Sequence, residues 1–331
     1  MAMRLRGLSS LYLFEWVSIA SGLFLILFFI LSPVRGPFYL VTLGTLWLFV
    51  RIIALSLILL LLTVAFRSLR RGQNQTFVEA LQESDLIRGR TWGDLVRISL
   101  AFSLMETAHF CLKVYIPLIH SRTFDSFLSQ ADRVLLAGRD GVDLVSAIFA
   151  SPTSIRLMDL LYSGFYFFLV WGSLILFLAL LRGRERIAFM DAYVTMWQIG
   201  LAIYILIPSW GPVFVEPERY AGLLRFMTLT VSIQKQLYLE TSSIIQGNYD
   251  IVIRYFGMAA LPSLHVAVFT IYTLWSPRLF RGLVYFFGGL TLLFFAGSVL
   301  TGYHYVVDGL AGIAVAGIAT FIGRRFLKRQ G

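Results

Sequence analysis

A single cysteine, Cys111, and little charge set the first limits on this chain. One thiol allows no intramolecular disulfide, and because Cys111 falls inside an apolar run it leaves the redox compartment open. Only 14% of the 331 residues are charged, and no polar interval is long enough to bury a core of its own. A separate soluble domain is therefore excluded. The chain also lacks low-complexity tracts, an obvious internal repeat, and any cluster of Asp, Glu and His at metal-ligand spacing.

What is there is apolar. Hydrophobic residues make up 58% of the chain. Several stretches of about 20 residues carry at most one charge, enough to cross a hydrocarbon core of roughly 30 Å. The fold class that follows is an all-α polytopic membrane protein. The net charge of +10 would fit a nucleic-acid binder if it were spread over a surface. Instead the basic residues gather at the ends of the apolar runs, where they act as topology signals, and no nucleic-acid partner is expected. Arg4 and Arg6 precede the first run as in a signal peptide. That run is too long, and "ILSPVRGPF" offers no small-residue cleavage site, so a retained span is expected.

The hydropathy pattern predicts eight spans, at 11–32, 38–66, 95–119, 156–181, 187–208, 258–276, 282–301 and 303–323. Arg4 and Arg6, "RSLRRG" with "IRGR", "RGRER", "PRLFR" and "RRFLKR" then alternate onto one side. By the positive-inside tendency both termini are cytoplasmic, and the long connections 120–155 and 209–257 are external. Phe124, Phe127, Leu128, Ala131 and Leu135 fall on one helical face, which predicts an interfacial helix on the outer leaflet.

Against this background three ionisable residues stand out. "GMAALPSLHVA" puts His265 near the external start of the sixth span, and "TGYHYVVDGLAG" puts His304 at the external start of the eighth. One excursion through the membrane separates them and returns the chain to the same depth. Asp308 follows His304 by four residues, about 6 Å along a helix and on nearly the same face. Its carboxylate can accept a proton from the imidazole and hold the other ring nitrogen outward, as in hydrolytic triads. Ionisable groups at membrane depth are expensive and usually face a cavity. Two helix N-termini pointing at one place favour an anion such as phosphate, with Pro262 in a first turn and Ser263 offering a hydroxyl and a backbone donor.

These residues resemble the type 2 phosphatidic acid phosphatase superfamily. That superfamily carries a Pro-Ser-Gly-His motif and a downstream Ser-Arg, five residues, His, three residues, Asp motif. "PSLH" at 262–265 and "HYVVD" at 304–308 match in order, spacing and depth. The "HYxxD" form, with Leu264 in place of the glycine, is similar to the branch holding inositol phosphorylceramide and sphingomyelin synthases. The resemblance implies a six-span phosphatase or phosphotransferase core at 93–331, preceded at 1–92 by a two-span extension and cytoplasmic loop. It implies that His304 attacks phosphorus to give a phosphohistidine, assisted by Asp308, and that His265 protonates the leaving oxygen and then activates water or another alcohol. It implies no metal or other cofactor. Its partners would be membrane lipids with phosphate or phosphodiester headgroups, and a small alcohol or lipid acceptor if transfer occurs.

The departures from the family pattern concern the cation. "AGSVLTGYH" has no basic residue upstream of His304, and no Lys/Arg-Pro first motif is recognisable where "PSWGP", 208–212, forms a Pro-rich external turn. Developing charge on phosphorus still needs neutralising. Arg219, Arg225, Lys235 and Arg254 are the external candidates, with Arg254 preferred because it precedes the sixth span. Phosphate binding is thus assigned to Ser263, Leu264 and Arg254, and supporting roles to Asp159 and Tyr162 at the start of the fourth span.

Two further patterns complete the reading. Glu106, His109 and Lys113 line one face of the third span, as an ion-pair network or as an acceptor path. Gly312, Ala316 and Thr320 recur every fourth residue, the pattern of close helix packing. Two other functions compete. A transporter or flippase would bind lipid phosphates without cleaving them, but its polar residues should sit at mid-membrane rather than near one face. A haem carrier would need stacked axial ligands, which His109 and His120, on different faces of one span, do not supply.

Overall fold

The computed structural model describes residues 11–31, 89–120, 122–248 and 257–329, together with positions 54, 58 and 61. Among these residues the secondary structure is helical throughout, with no strand. Apart from positions 54, 58 and 61, the expected second span, 38–66, lies outside the described residues, as do residues 67–88 of the 1–92 extension and Arg254.

Five of the expected spans are single apolar helices. They are α1 (Leu13–Leu31), α2 (Gly89–Ile119), α7 (Gly183–Leu206), α10 (Leu283–Leu300) and α11 (Val306–Arg329). Between α2 and α7 lie α3 (Asp125–Leu135), α4 (Gly141–Ile148), α5 (Pro152–Asp159) and α6 (Tyr166–Leu180). Between α7 and α10 lie three short turns of helix, then α8 (Thr228–Ile245) and α9 (Leu264–Trp275). The chain is a multi-pass membrane protein.

Two expected spans take a different form. The run 156–181 is broken: α5 starts at a Ser151 capping box, a π-type turn follows at Leu160–Gly164, and only then does α6 begin. The Gly141–Ile148 and Pro152–Gly164 segments meet at 109°, so an apolar pair folds back where the pattern predicted a loop and the start of a span. The run 258–276 yields a helix of only 12 residues, about 18 Å long. It begins late because residues 257–263 are not helical, Gly257 having φ +75°, and Ser263 occupies the N-cap position in extended geometry.

The short helix α9 is buried on every side, as an interior helix apolar all round must be. It packs against α7, α10 and α11. Phe177 stacks on Phe189 and on Tyr272, each with centroids 5.1 Å apart, and forms the heart of this core. At the crossing of α9 and α11, a Cβ on Gly312 would lie 2.4 Å from the Ser263 carbonyl oxygen. Only glycine permits that approach, and Ala316 and Thr320 continue the buried seam.

Helix α1 is fastened to the bundle by polar contacts at its start. The Phe14 N–H donates to Asp191 Oδ1 at 2.8 Å, and the Arg97 guanidinium grips the Glu15 carboxylate, its Nε donating at 2.7 Å.

Helix α3 is amphipathic, but its two faces divide the labour differently from a simple leaflet-bound helix. Phe124, Phe127, Val134 and Leu135 are exposed, whereas Asp125, Leu128 and Asp132 are buried against the bundle. The acids do the anchoring. Asp132 Oδ2 and Oδ1 accept the Val306 and Val307 N–H groups at 2.7 and 2.8 Å, capping the N-terminus of α11. Asp125 accepts the Trp210 and Gly211 N–H groups and the Tyr305 hydroxyl. Burial raises the Asp132 carboxyl above the ordinary aspartate range, and the two N–H groups of α11 oppose that shift.

Candidate active site

The non-helical stretch before α9 and the turn before α11 are laced together, and this lacing positions the polar residues. Ser209, in "PSWGP", accepts the Ala260 N–H at its carbonyl and the Leu261 N–H at its hydroxyl, both at 3.0 Å. The Ser263 N–H donates to the Asp308 carbonyl at 2.9 Å, and the Tyr204 hydroxyl donates to the Pro262 carbonyl at 3.0 Å. Ala260, Pro262 and Ser263 are thereby locked against the first turn of α11.

His304, buried, sits in that junction. Its Nδ1 lies 2.7 Å from the Ala260 carbonyl oxygen and 3.5 Å from Asp308 Oδ2. A carbonyl can only accept, so Nδ1 carries the proton. In the neutral ring Nε2 is then bare, and it faces His265 Nδ1 at 3.3 Å. The two imidazoles meet edge to face, centroids 5.5 Å apart at 65°. Asp308, fully buried, also accepts the Tyr305 N–H at 2.8 Å, while its Oδ1 has no partner among the described residues.

The structure thus brings His265, His304 and Asp308 together. It alters one detail: the nearest acceptor to the His304 ring is the Ala260 carbonyl, with Asp308 further away. A backbone atom leaves no residue-type signature, and for that reason sequence reading missed it. Tyr162 and Tyr166 pack on His265 at centroid distances of 5.1 and 4.3 Å. Tyr162 was expected beside the site; Tyr166, four residues on, was overlooked although helical spacing brings it onto the same side.

Other expected residues are placed elsewhere or used differently. Asp159 accepts the Leu229 and Thr230 N–H groups and the Thr230 hydroxyl, at 3.0, 2.8 and 2.7 Å, and so caps α8 rather than supporting a histidine. The Ser263 N–H is taken by Asp308, which leaves its buried hydroxyl as the unpartnered group. Leu264 contributes an apolar wall. Arg219 is paired with Asp140 at 2.7 Å and Glu216 at 2.6 Å, Arg225 lies over Phe226, and Lys235 is exposed.

A cavity of about 390 Å³ opens beside the two imidazoles. His265, His304 and Tyr303 line it together with Glu106, His109 and Lys113 of α2 and the rings of Tyr162, Tyr166, Trp197 and Trp210. The α2 stripe therefore shares a cavity with the histidines. His109 is held edge-on by Trp197 at 5.0 Å and Phe110 at 5.3 Å.

A family profile described as the PAP2 superfamily matches residues 128–322. The chain belongs to the PAP2 superfamily. No curated protein and no solved structure matches it. The PAP2 match runs from α3 into α11 and takes in both motifs, whereas α1 and α2 precede it. The Glu106, His109 and Lys113 wall of the cavity thus comes from a helix outside the matched segment.

Proposed function

We propose that this PAP2 protein is an integral membrane phosphatase or phosphotransferase of lipid phosphates that works through a phosphohistidine at His304. The observation that carries the reading is the pairing of a bare His304 Nε2 with His265 Nδ1 at 3.3 Å, while Nδ1 of His304 is tied down on its far side. A phosphoryl group entering between the rings parts them and meets a nitrogen lone pair. Nε2 attacks phosphorus as the bond to the leaving oxygen breaks, and His265 delivers a proton to that oxygen. In the second half His265 takes the proton of water or an alcohol, whose oxygen attacks phosphorus and releases His304. Asp308 and the Ala260 carbonyl stabilise the charge that the His304 ring acquires when it bonds phosphorus.

Family membership supports a phosphatase-type activity on lipid phosphates. The cavity supports a lipid, being lined by aromatic and aliphatic side chains within the bundle. The alternation of basic segments supports an opening toward the non-cytoplasmic leaflet, with both termini cytoplasmic. The "HYxxD" form supports the synthase-like branch, in which an alcohol replaces water. The segment 93–331 is then the catalytic core, and 1–92 an addition to it.

The test uses purified protein in detergent with a phosphate-labelled lipid. An acid-labile phosphoenzyme should accumulate and should be absent from His304→Ala. Turnover retained by His304→Ala would overturn the nucleophile assignment. Adding candidate alcohols separates the two outcomes: free phosphate marks hydrolysis, and a labelled phosphodiester marks transfer.

A further inference from the structure

The family's arginine upstream of His304 is absent here, and none of the external cations among the described residues lines the cavity. Arg219 lines a smaller recess of about 30 Å³ that also reaches His304, but there Asp140 and Glu216 neutralise it. Yet phosphorus bonded to three non-bridging oxygens inside an apolar bundle requires a preorganised cation.

One cation does line the cavity. Among its described lining residues Lys113 alone is a lysine or arginine, and no carboxylate among the described residues forms an ion pair with it. Its ammonium lies 5.6 Å from the centroid of the Tyr204 ring, whose hydroxyl holds Pro262. Its main chain is seated against the segment that leads into His265. Gly257, at φ +75°, passes so close that a Cβ there would lie 3.2 Å from the Lys113 carbonyl oxygen. Lys113 is also within electrostatic reach of the His265 and His109 imidazoles. An ammonium at membrane depth with no carboxylate partner among the described residues is expensive, and packing alone gives no reason to keep it. Glu106, two turns away on the same helix, is too distant to neutralise it: seven residues span about 10 Å.

We propose that Lys113 is the phosphate-binding cation of this site, supplied by α2 in place of the missing arginine. The proposal rests on the phosphoryl-transfer reading of His304. Lys113 moves no proton in it; its charge holds the non-bridging oxygens of the bound phosphoryl group while Nε2 attacks, and the same charge holds inorganic phosphate after release. The pocket is thereby completed from outside the segment that matches the family.

Three measurements on the full chain in detergent test this. Inorganic phosphate or orthovanadate should raise the thermal unfolding temperature of the native protein and inhibit its turnover, and both effects should be lost in Lys113→Met. That variant should lose about 100-fold or more in kcat/KM, in line with removal of one preorganised charge, while Lys113→Arg should recover most of it. Without ligand, Lys113→Met should unfold at the same temperature as the native protein or higher, whereas a structural lysine would lower it. The third measurement needs no variant: phosphate should protect Lys113 of the native chain from acetylation by acetic anhydride, read by mass spectrometry.

Full phosphate inhibition and native kcat/KM in Lys113→Met would overturn the proposal and leave the His304 reading intact. Acetylation unaffected by phosphate would overturn it even if the variants failed to fold. Absence of a phosphoenzyme together with protection of Lys113 would sink the phosphohistidine and keep the anion site.

Discussion

The His304 ring donates from Nδ1 to the carbonyl of Ala260, 44 residues upstream, at 2.7 Å. That single bond selects the tautomer and aims Nε2 at His265, and Asp308 stands behind it at 3.5 Å rather than in its place. The division of labour between a backbone oxygen and a carboxylate distinguishes this arrangement from a triad in which the acid alone orients the imidazole.

Asp308→Asn should therefore be milder than the equivalent change in a serine-protease triad. There the loss is about 10⁴-fold because the wrong tautomer is favoured. Here Ala260 still fixes the tautomer, so rapid-mixing measurements should show phosphoenzyme forming about 10–100-fold more slowly than in the native protein. A 10⁴-fold loss would mean that Asp308 governs the ring and the Ala260 bond is incidental.

Ser209→Ala tests the same linkage from the other end. The variant leaves the Leu261 N–H without the hydroxyl that accepts it at 3.0 Å. An unsatisfied buried donor costs about 1–3 kcal/mol, read as a lower midpoint of thermal unfolding. Turnover should fall as well, because the segment bearing the Ala260 carbonyl loses one of its two ties to Ser209. Unchanged activity with full destabilisation would show that the linkage does not reach His304.

Asp159→Ala should behave in the opposite way. The carboxylate receives two N–H groups and a hydroxyl at the start of α8, so its removal should destabilise by about 1–2 kcal/mol, as loss of a helix cap does. At a temperature where the variant is folded, kcat should change less than threefold. A large loss of kcat without loss of stability would return Asp159 to the catalytic site.

Gly312→Ala puts a methyl group 2.4 Å from the Ser263 carbonyl, so α9 and α11 must separate. Overpacking of this kind costs about 1–3 kcal/mol, and here it also moves His265 away from His304. Gly317→Ala on the same helix meets nothing within 4 Å and should be neutral in both stability and turnover. Equal effects of the two substitutions would argue against a crossing at Gly312.

Much of the architecture was legible in advance because apolar length and basic flanks are local properties. The runs at 11–32, 95–119, 187–208, 282–301 and 303–323 became helices for that reason. The runs at 156–181 and 258–276 did not become simple spans. Both are apolar runs, but a capping box and π-turn interrupt the first, and the non-helical stretch through Pro262 shortens the second. Hydropathy measures the solvent a segment tolerates, not the point at which its helix starts. The partners of Asp159 were hidden for a related reason: its place in the chain suggests the site, whereas its hydrogen bonds go to the start of α8.

By itself the sequence determined that this is a helical membrane chain, that His265 and His304 return to one depth, and that Asp308 lies a turn beyond the second. Those follow from composition, span parity and the pitch of a helix, all readable along the chain. Tertiary structure alone decided that a carbonyl orients His304, that two acids of α3 cap α11 and grip the "PSWGP" turn, and that Lys113 of α2 lines the same cavity as both histidines. Each of these joins groups far apart in sequence through a hydrogen bond or a shared cavity wall. Such contacts depend on which helices pack together, and no local periodicity encodes that.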